Sequence, residues 1–140
     1  MSLKGPIISV EDDEDDQYLI GQAMKALSVP NKLRFFTNGQ QALDYLIHTD
    51  EKPFLTLCDI NMPIMNGLEF RRHIQASDFL RSKAIPFIYF TTGASPELVI
   101  AAYKATVQGF YQKAPHYDAF QEQIRVIVEY WTKCLHPNNQ

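Results

Sequence analysis

The sequence predicts an α/β chain with an open, parallel, doubly wound sheet and helices on both faces. Three observations carry this. Short apolar runs alternate with stretches of helical periodicity, giving five strand–helix units in about 130 residues. The runs at Phe54–Cys58 and Pro86–Phe90 are apolar almost without interruption, as strands buried on both faces are. Four of the five runs close on polar or charged residues: Glu11–Asp12–Asp13, Asp59, Thr91–Thr92–Gly93 and Lys113. In a parallel sheet those residues gather on the carboxyl edge, where ligands bind.

The elements follow in order. Ile7–Val10 reads as the first strand. Ile20, Ala23, Met24 and Leu27 repeat at helical spacing, and Asp15 and Asp16 near that helix's start suit its dipole. Leu33–Phe36 is the second strand, and Asn38-Gly39 turns into a helix carrying Ala42, Tyr45 and Leu46. After the third strand, Asn66-Gly67 leads into a helix with Phe70 and Ile74. Beyond the fourth strand, Ser95-Pro96-Glu97 starts a helix, with Ser as N-cap and Pro at the first helical position. Gly109–Gln112 is the fifth strand. Phe120, Ile124, Ile127, Val128 and Trp131 form the apolar stripe of the last helix, which docks on the sheet. The tail from His136 to Gln140 is expected to fray.

Bulk properties narrow the function. At 140 residues we expect one domain over 1–140, with a core of about 5–133. Hydrophobic content of 46% and charged content of 21% match a water-soluble globular chain. A net charge of −3 gives no support to nucleic acid or an anionic membrane as partner. No apolar stretch nears the roughly 20 residues that span a bilayer, and the N-terminus lacks a signal-peptide pattern. Cys58 reads as a small core residue, and with Cys134 the only other cysteine, a reducing cytoplasm is the expected setting.

The strand-end residues carry chemistry. Glu11, Asp12 and Asp59 on adjacent strand ends would repel each other unless a cation sat between them. Oxygen ligands without His or Cys select a hard ion such as Mg²⁺, and the four histidines (48, 73, 116, 136) fall elsewhere, which disfavours zinc. Asp59 suits a carboxylate nucleophile forming an aspartyl phosphate. Lys113 supplies a compact positive charge to a phosphoryl oxygen, and Thr91 a hydroxyl. Taken singly each has an ordinary reading: a turn or N-cap aspartate, a solvated acidic stretch, a stray Thr or Lys. Their joint occurrence on four strand ends makes coincidence a poor account.

The chain resembles the receiver domain of two-component response regulators across its whole length, and the stand-alone type that works with phytochrome-like sensor kinases in particular. The segment Asp59-Ile60-Asn61-Met62-Pro63-Ile64-Met65-Asn66-Gly67 is similar to the family's phosphoacceptor signature, and Val10-Glu11-Asp12-Asp13 to its first-strand acidic pair. The resemblance implies a flavodoxin-like three-layer fold, strand order 2-1-3-4-5 with five helices. It implies Asp59 as the phosphorylation site. It implies Mg²⁺ (or Mn²⁺) on Asp12, Asp59 and the backbone carbonyl of Asn61, with Glu11 acting through water. Thr91, with Thr92 beside it, would be the switch hydroxyl, Lys113 the phosphate-pairing lysine and Phe110 the switch aromatic.

Two departures stand out. The family has Pro directly after the lysine with a cis peptide, whereas this chain reads Lys113-Ala114-Pro115. A cis bond before Ala114 would cost ~3–4 kcal/mol, so either that strain is tolerated or the loop takes another path. Phe110 also stands where the family often has Tyr.

The resemblance implies phosphate from a sensor histidine kinase or a histidine phosphotransfer protein. Output would pass through protein contact with a downstream target that the sequence does not name. Tyr130 and Trp131 offer a homodimer surface or pack on their own sheet. Gln75–Ala84 is longer than in minimal receivers. An aspartyl-phosphate phosphatase would place a second Asp two residues after the nucleophile as general acid, but Asn61 stands there and cannot protonate a leaving group. A degenerate receiver that binds partners without phosphate is the remaining alternative. A flavin site would need a hydroxyl-rich phosphate loop after the first strand, which this chain lacks.

Overall fold

The computed structural model describes residues 4–137. Five strands pair in parallel: β1 (Ile7–Val10), β2 (Leu33–Phe36), β3 (Leu55–Cys58), β4 (Phe87–Thr91) and β5 (Gly109–Gln112). Their order is β2-β1-β3-β4-β5, as the resemblance implied. Ile7 faces Leu33 on one side and Leu55 on the other, and Tyr89 pairs with Phe110. Every residue of β1, β3 and β4 is buried, which accounts for their unbroken apolar character.

Six helices, not five, cover the sheet: α1 (Glu14–Ala26), α2 (Gly39–His48), α3 (Gly67–Ala76), α4 (Asp78–Ser82), α5 (Pro96–Lys104) and α6 (Tyr117–Lys133). The extra one is the short α4, which occupies the long segment before β4. Ser77 caps it by accepting the Leu80 N–H, and Leu80 is its buried anchor. A five-residue helix has too few turns for a readable apolar period, which is why the sequence hid it.

The layers follow from side-chain alternation. Ile8, Val10, Phe87 and Tyr89 pack with Leu46 of α2, Phe70 of α3 and Ala102 of α5. Ile7, Leu57, Ile88 and Phe90 pack on the opposite face with Ile20 of α1 and Ile124 of α6. Two apolar cores thus sandwich the sheet and hold the strand ends at fixed heights. The buried guanidinium of Arg71 ties α3 to the end of α5 by donating to the carbonyls of Ala105 and Thr106, each at 3.0 Å.

Helix starts are chemically specified. Asp13 caps α1, accepting the N–H groups of Asp15 and Asp16 at 2.8 and 3.2 Å. Asn66 and Glu69 form a reciprocal capping box at α3. Ser95 caps α5 with Pro96 behind it, as the sequence predicts.

One expectation at the terminus fails. His136 is buried rather than frayed: its Nε2 lies 2.6 Å from the Phe54 carbonyl oxygen and its ring 5.3 Å from the Phe54 ring. The rest of the predicted tail, beyond Pro137, lies outside the described residues, as do residues 1–3. Trp131 packs half-buried on its own sheet and beside His136, while Tyr130 is exposed.

Candidate functional site

The strand order 2-1-3 makes the winding reverse between β1 and β3, which opens a crevice beyond their carboxyl ends. Glu11 and Asp12 follow β1, and Asp59 follows β3. Carboxylate oxygens of the three residues all lie within 4.8 Å of one another. Glu11 and Asp59 are buried, whereas Asp12 is exposed and opens the cluster to solvent.

Local structure fixes Asp59 tightly. Its backbone N–H donates to Val10 O at 2.9 Å, continuing the β1–β3 ladder one residue past the strand. Its Oδ1 accepts the Ile60 N–H at 2.7 Å. Its carbonyl oxygen accepts the Cys58 thiol at 3.0 Å. Burial pushes that thiol's pKa well up, and the neighbouring carboxylates of Asp59 and Glu11 add to the shift. Cys58 is therefore an inert core donor, as expected.

Lys113 follows β5 and turns inward. Its backbone N–H donates to Thr91 O at 2.7 Å. Its Nζ donates to Glu11 Oε1 and, at 2.8 Å, to Asp16 Oδ2, and lies 3.6 Å from Asp59 Oδ2. All described peptide bonds are trans, so the second of the two loop outcomes holds at Lys113-Ala114. The Ala114 N–H donates to Gln123 Oε1 of α6 at 3.0 Å, which secures the loop with Pro115 displaced by one. The lysine still reaches the carboxylates.

Acidic groups outnumber the cations that face them at this edge. Burial raises the Glu11 pKa to about 8; the bond from Lys113 opposes the shift and the hydrogen bond to Asp59 adds to it. For Lys113, burial favours the neutral amine, but the bonds to Asp16 and Glu11 outweigh it and the pKa rises. One ammonium thus faces three carboxyl groups, those of Glu11, Asp16 and Asp59. Oxygen-only donors with surplus negative charge fit a hard divalent ion, and the residues present suit Mg²⁺ or Mn²⁺.

Thr91 ends β4, fully buried, and its Oγ1 makes no hydrogen bond within the chain. A buried, unpaired hydroxyl costs about 1–3 kcal/mol, so this one is available to an anion at the strand edge. Ser9 Oγ, within β1, shares that state, so an orphan hydroxyl alone does not mark a site. Thr92 and Asn61 are exposed on the loops beside the cluster. Phe110 stands apart from the carboxylates, half-buried, with its ring 5.7 Å from that of Tyr89. Tyr89 in turn donates its hydroxyl to Gly67 O at 2.9 Å.

Sequence reasoning gave Asp16 only a helix-dipole role, yet it holds Lys113. No spacing rule links a first-turn aspartate to a lysine 97 residues away; only the strand order brings them together.

The chain is similar to known proteins in sequence and in fold. The family model of the response regulator receiver domain matches residues 7–125. The probable methanogenesis regulatory protein FilR2 of Methanothrix harundinacea is 30% identical over 129 residues, covering 89% of this chain and 82% of that protein. The response regulator Rcp1 of Synechocystis is 27% identical, covering 92% and 90%. The solved structure of RcpA, a phosphorylated cyanobacterial phytochrome response regulator, superposes with a TM-score of 0.83 at 25% identity, covering 92% and 94%.

Proposed function

We propose that this chain, which belongs to the response regulator receiver domain family, accepts a phosphoryl group on Asp59 and signals by the conformational change that follows. The donor class is a phosphohistidine on a sensor histidine kinase or a histidine phosphotransfer protein. The P–N bond to the imidazole breaks, a P–O bond to the Asp59 carboxylate forms, and the leaving imidazole nitrogen keeps the electron pair.

One observation carries the reading: the cluster of Glu11, Asp12 and Asp59, with the Lys113 ammonium 3.6 Å from Asp59. Asp12, Asp59 and the Asn61 carbonyl would hold Mg²⁺ or Mn²⁺, with Glu11 through water. The ion, when bound, neutralises charge on the carboxylate and the incoming phosphoryl group. The mutual orientation of the protein groups supplies the rest, because phosphoryl transfer demands positioning and charge stabilisation more than covalent assistance. The Ile60 N–H holds the Asp59 carboxylate in place. Lys113 pairs one phosphoryl oxygen, and the orphan hydroxyl of Thr91 donates to another.

The new group carries roughly two negative charges and three acceptor oxygens. Drawing Thr91 and the Thr92–Gly93 loop toward it frees space beside Tyr89 for Phe110, which alters the face of α5, β5 and α6. That face, with Tyr103 and Tyr130 exposed on it, would contact the downstream protein or a second copy of the chain. The module would self-assist phosphorylation and hydrolysis without being an enzyme on other substrates. Two free cysteines suit a cytoplasmic setting, and among the described residues no helix is long and apolar enough to cross a membrane.

The test is intact-protein mass after incubation with acetyl phosphate and Mg²⁺. A labile gain of one phosphate, dependent on Mg²⁺ and missing in Asp59→Asn, is expected. No gain from this donor or from a phosphorylated histidine kinase, with the protein folded, would leave a degenerate receiver that binds partners without phosphate.

A further inference from the structure

The first turn of α1 carries three acids in succession, Glu14, Asp15 and Asp16. Glu14 and Asp15 are exposed, and the helix dipole accounts for them. Asp16 differs. Its side chain is only 22% exposed and its Oδ2 accepts from Lys113 Nζ at 2.8 Å. Its backbone is fixed from below by the Asp13 cap. The next residue, Gln17, is bonded through Nε2 to Glu11 O at 2.6 Å. Asp16 therefore meets the ammonium from a rigid platform. It lies outside the Glu11–Asp12–Asp59 cluster that suits a metal.

An ammonium has three N–H donors. Glu11 and Asp16 take two of them, and Asp59 Oδ2 at 3.6 Å is beyond a good hydrogen bond. A phosphoryl group on Asp59 can draw Lys113 fully only by competing with carboxylates that already hold it. Glu11 is buried within the cluster that suits a metal. Asp16, on the helix, is the partner that can be given up.

We propose that Asp16 is a positioning residue for Lys113: it restrains the ammonium while Asp59 is unmodified and surrenders it to the phosphoryl group. The proposal rests on the receiver reading above and adds a route to the surface. Release of Lys113 removes the tie between Asp16 in the first turn of α1 and the end of β5, while Gln17 keeps its bonds to the carbonyls of Glu11 and Phe36, so phosphorylation frees the Asp16 side chain as well as moving the Thr91 loop.

Beryllofluoride, a phosphoryl mimic, tests this by titration at saturating Mg²⁺. Wild type, Asp16→Asn, Asp15→Asn, Lys113→Ala and the Asp16→Asn/Lys113→Ala double variant would be compared. Asp16→Asn is expected to bind roughly threefold to tenfold tighter, the span that a partly buried ion pair withholds. Asp15→Asn removes the same charge from the same turn without touching Lys113, and should stay within about twofold of wild type. In the Lys113→Ala background the effect of Asp16→Asn should vanish. A second readout needs no metal: in ¹⁵N spectra of the metal-free protein, the Lys113 ammonium protons should exchange with water faster in Asp16→Asn than in wild type or Asp15→Asn.

Equal affinity of Asp16→Asn and wild type overturns the assignment. So does an equal gain in Asp15→Asn, which would mean bulk charge alone. A gain that persists without Lys113 overturns it as well, as does unchanged ammonium exchange. Wild type that binds no beryllofluoride overturns the receiver reading itself, and the competition with it.

Discussion

A Cβ added to Gly67 would stand 2.2 Å from the carbonyl oxygen of Asp59. No real contact is that short, so the first residue of α3 is pressed directly against the phosphoacceptor candidate's backbone. Its φ is not positive; close approach alone demands glycine here. The Gly67 N–H donates to Ile60 O at 2.9 Å and its carbonyl accepts from Tyr89, so the peptide cannot simply retreat. Gly67→Ala should cost about 1–3 kcal/mol in denaturant unfolding and slow acetyl-phosphate labelling of Asp59. An alanine variant with wild-type stability and labelling would show that this contact relaxes freely.

Removing the lysine has a larger and metal-dependent effect. Lys113→Ala leaves Glu11 and Asp59 buried at close range without a cation. Breaking a buried pair from one side costs about 3–5 kcal/mol. The melting temperature of the metal-free variant should fall accordingly, and millimolar Mg²⁺ should restore much of the loss by replacing the missing charge. Asp59→Asn should move the other way, melting above wild type without metal because a repelling carboxylate is gone. If Mg²⁺ stabilises Lys113→Ala no more than wild type, the ion does not share a site with the ammonium.

The pH dependence follows from Glu11. Burial first, with Asp59 adding and Lys113 opposing, lifts its pKa from 4.5 unfolded to about 8 folded. A raised acid contributes stability that is fully present below the unfolded value and is lost as pH climbs to the folded one. Metal-free protein should therefore lose stability between about pH 5 and 8. A bound divalent ion favours ionised Glu11, so the Mg²⁺-induced rise in melting temperature should grow over the same interval. Scans at pH 6, 7, 8 and 9 with and without Mg²⁺ check this; a Mg²⁺ effect that shrinks as pH rises would refute it.

What the sequence disclosed, and what it hid, divides by the range of the interaction. Strand runs and helix stripes are local periodicities, so the five strands and the long helices were legible. The polar strand ends were legible because a parallel sheet aligns its carboxyl edges wherever the strands lie. Asp16 was legible as a helix-start acid and not as the partner of Lys113, because that pairing depends on how far the ammonium bends back across two strands. The orphan state of the Thr91 hydroxyl was equally hidden, since it reflects what surrounds the group rather than what the group is. The short α4 was missed for want of a period, and His136 because its surroundings at Pro137 and beyond are those of a tail.

His136 supplies a test at the far edge of the sheet. Its imidazole meets the carbonyl and the ring of Phe54, the residue that leads into β3, and packs edge-on to Trp131. The contact pins the chain after α6 to the start of the strand that ends at Asp59. His136→Ala removes a buried ring and leaves the Phe54 carbonyl without this partner, so about 2–4 kcal/mol of stability should be lost. The carboxylates stand at the opposite ends of the strands, and their spacing depends on the β1–β3 ladder rather than on this contact. Asp59 labelling by acetyl phosphate should therefore stay within about twofold of wild type at temperatures where the variant is folded. Unchanged thermal stability would mean that the terminal segment does not hold β3 in solution. Lost labelling in a folded variant would mean that the two ends of β3 are coupled more strongly than their separate contacts require.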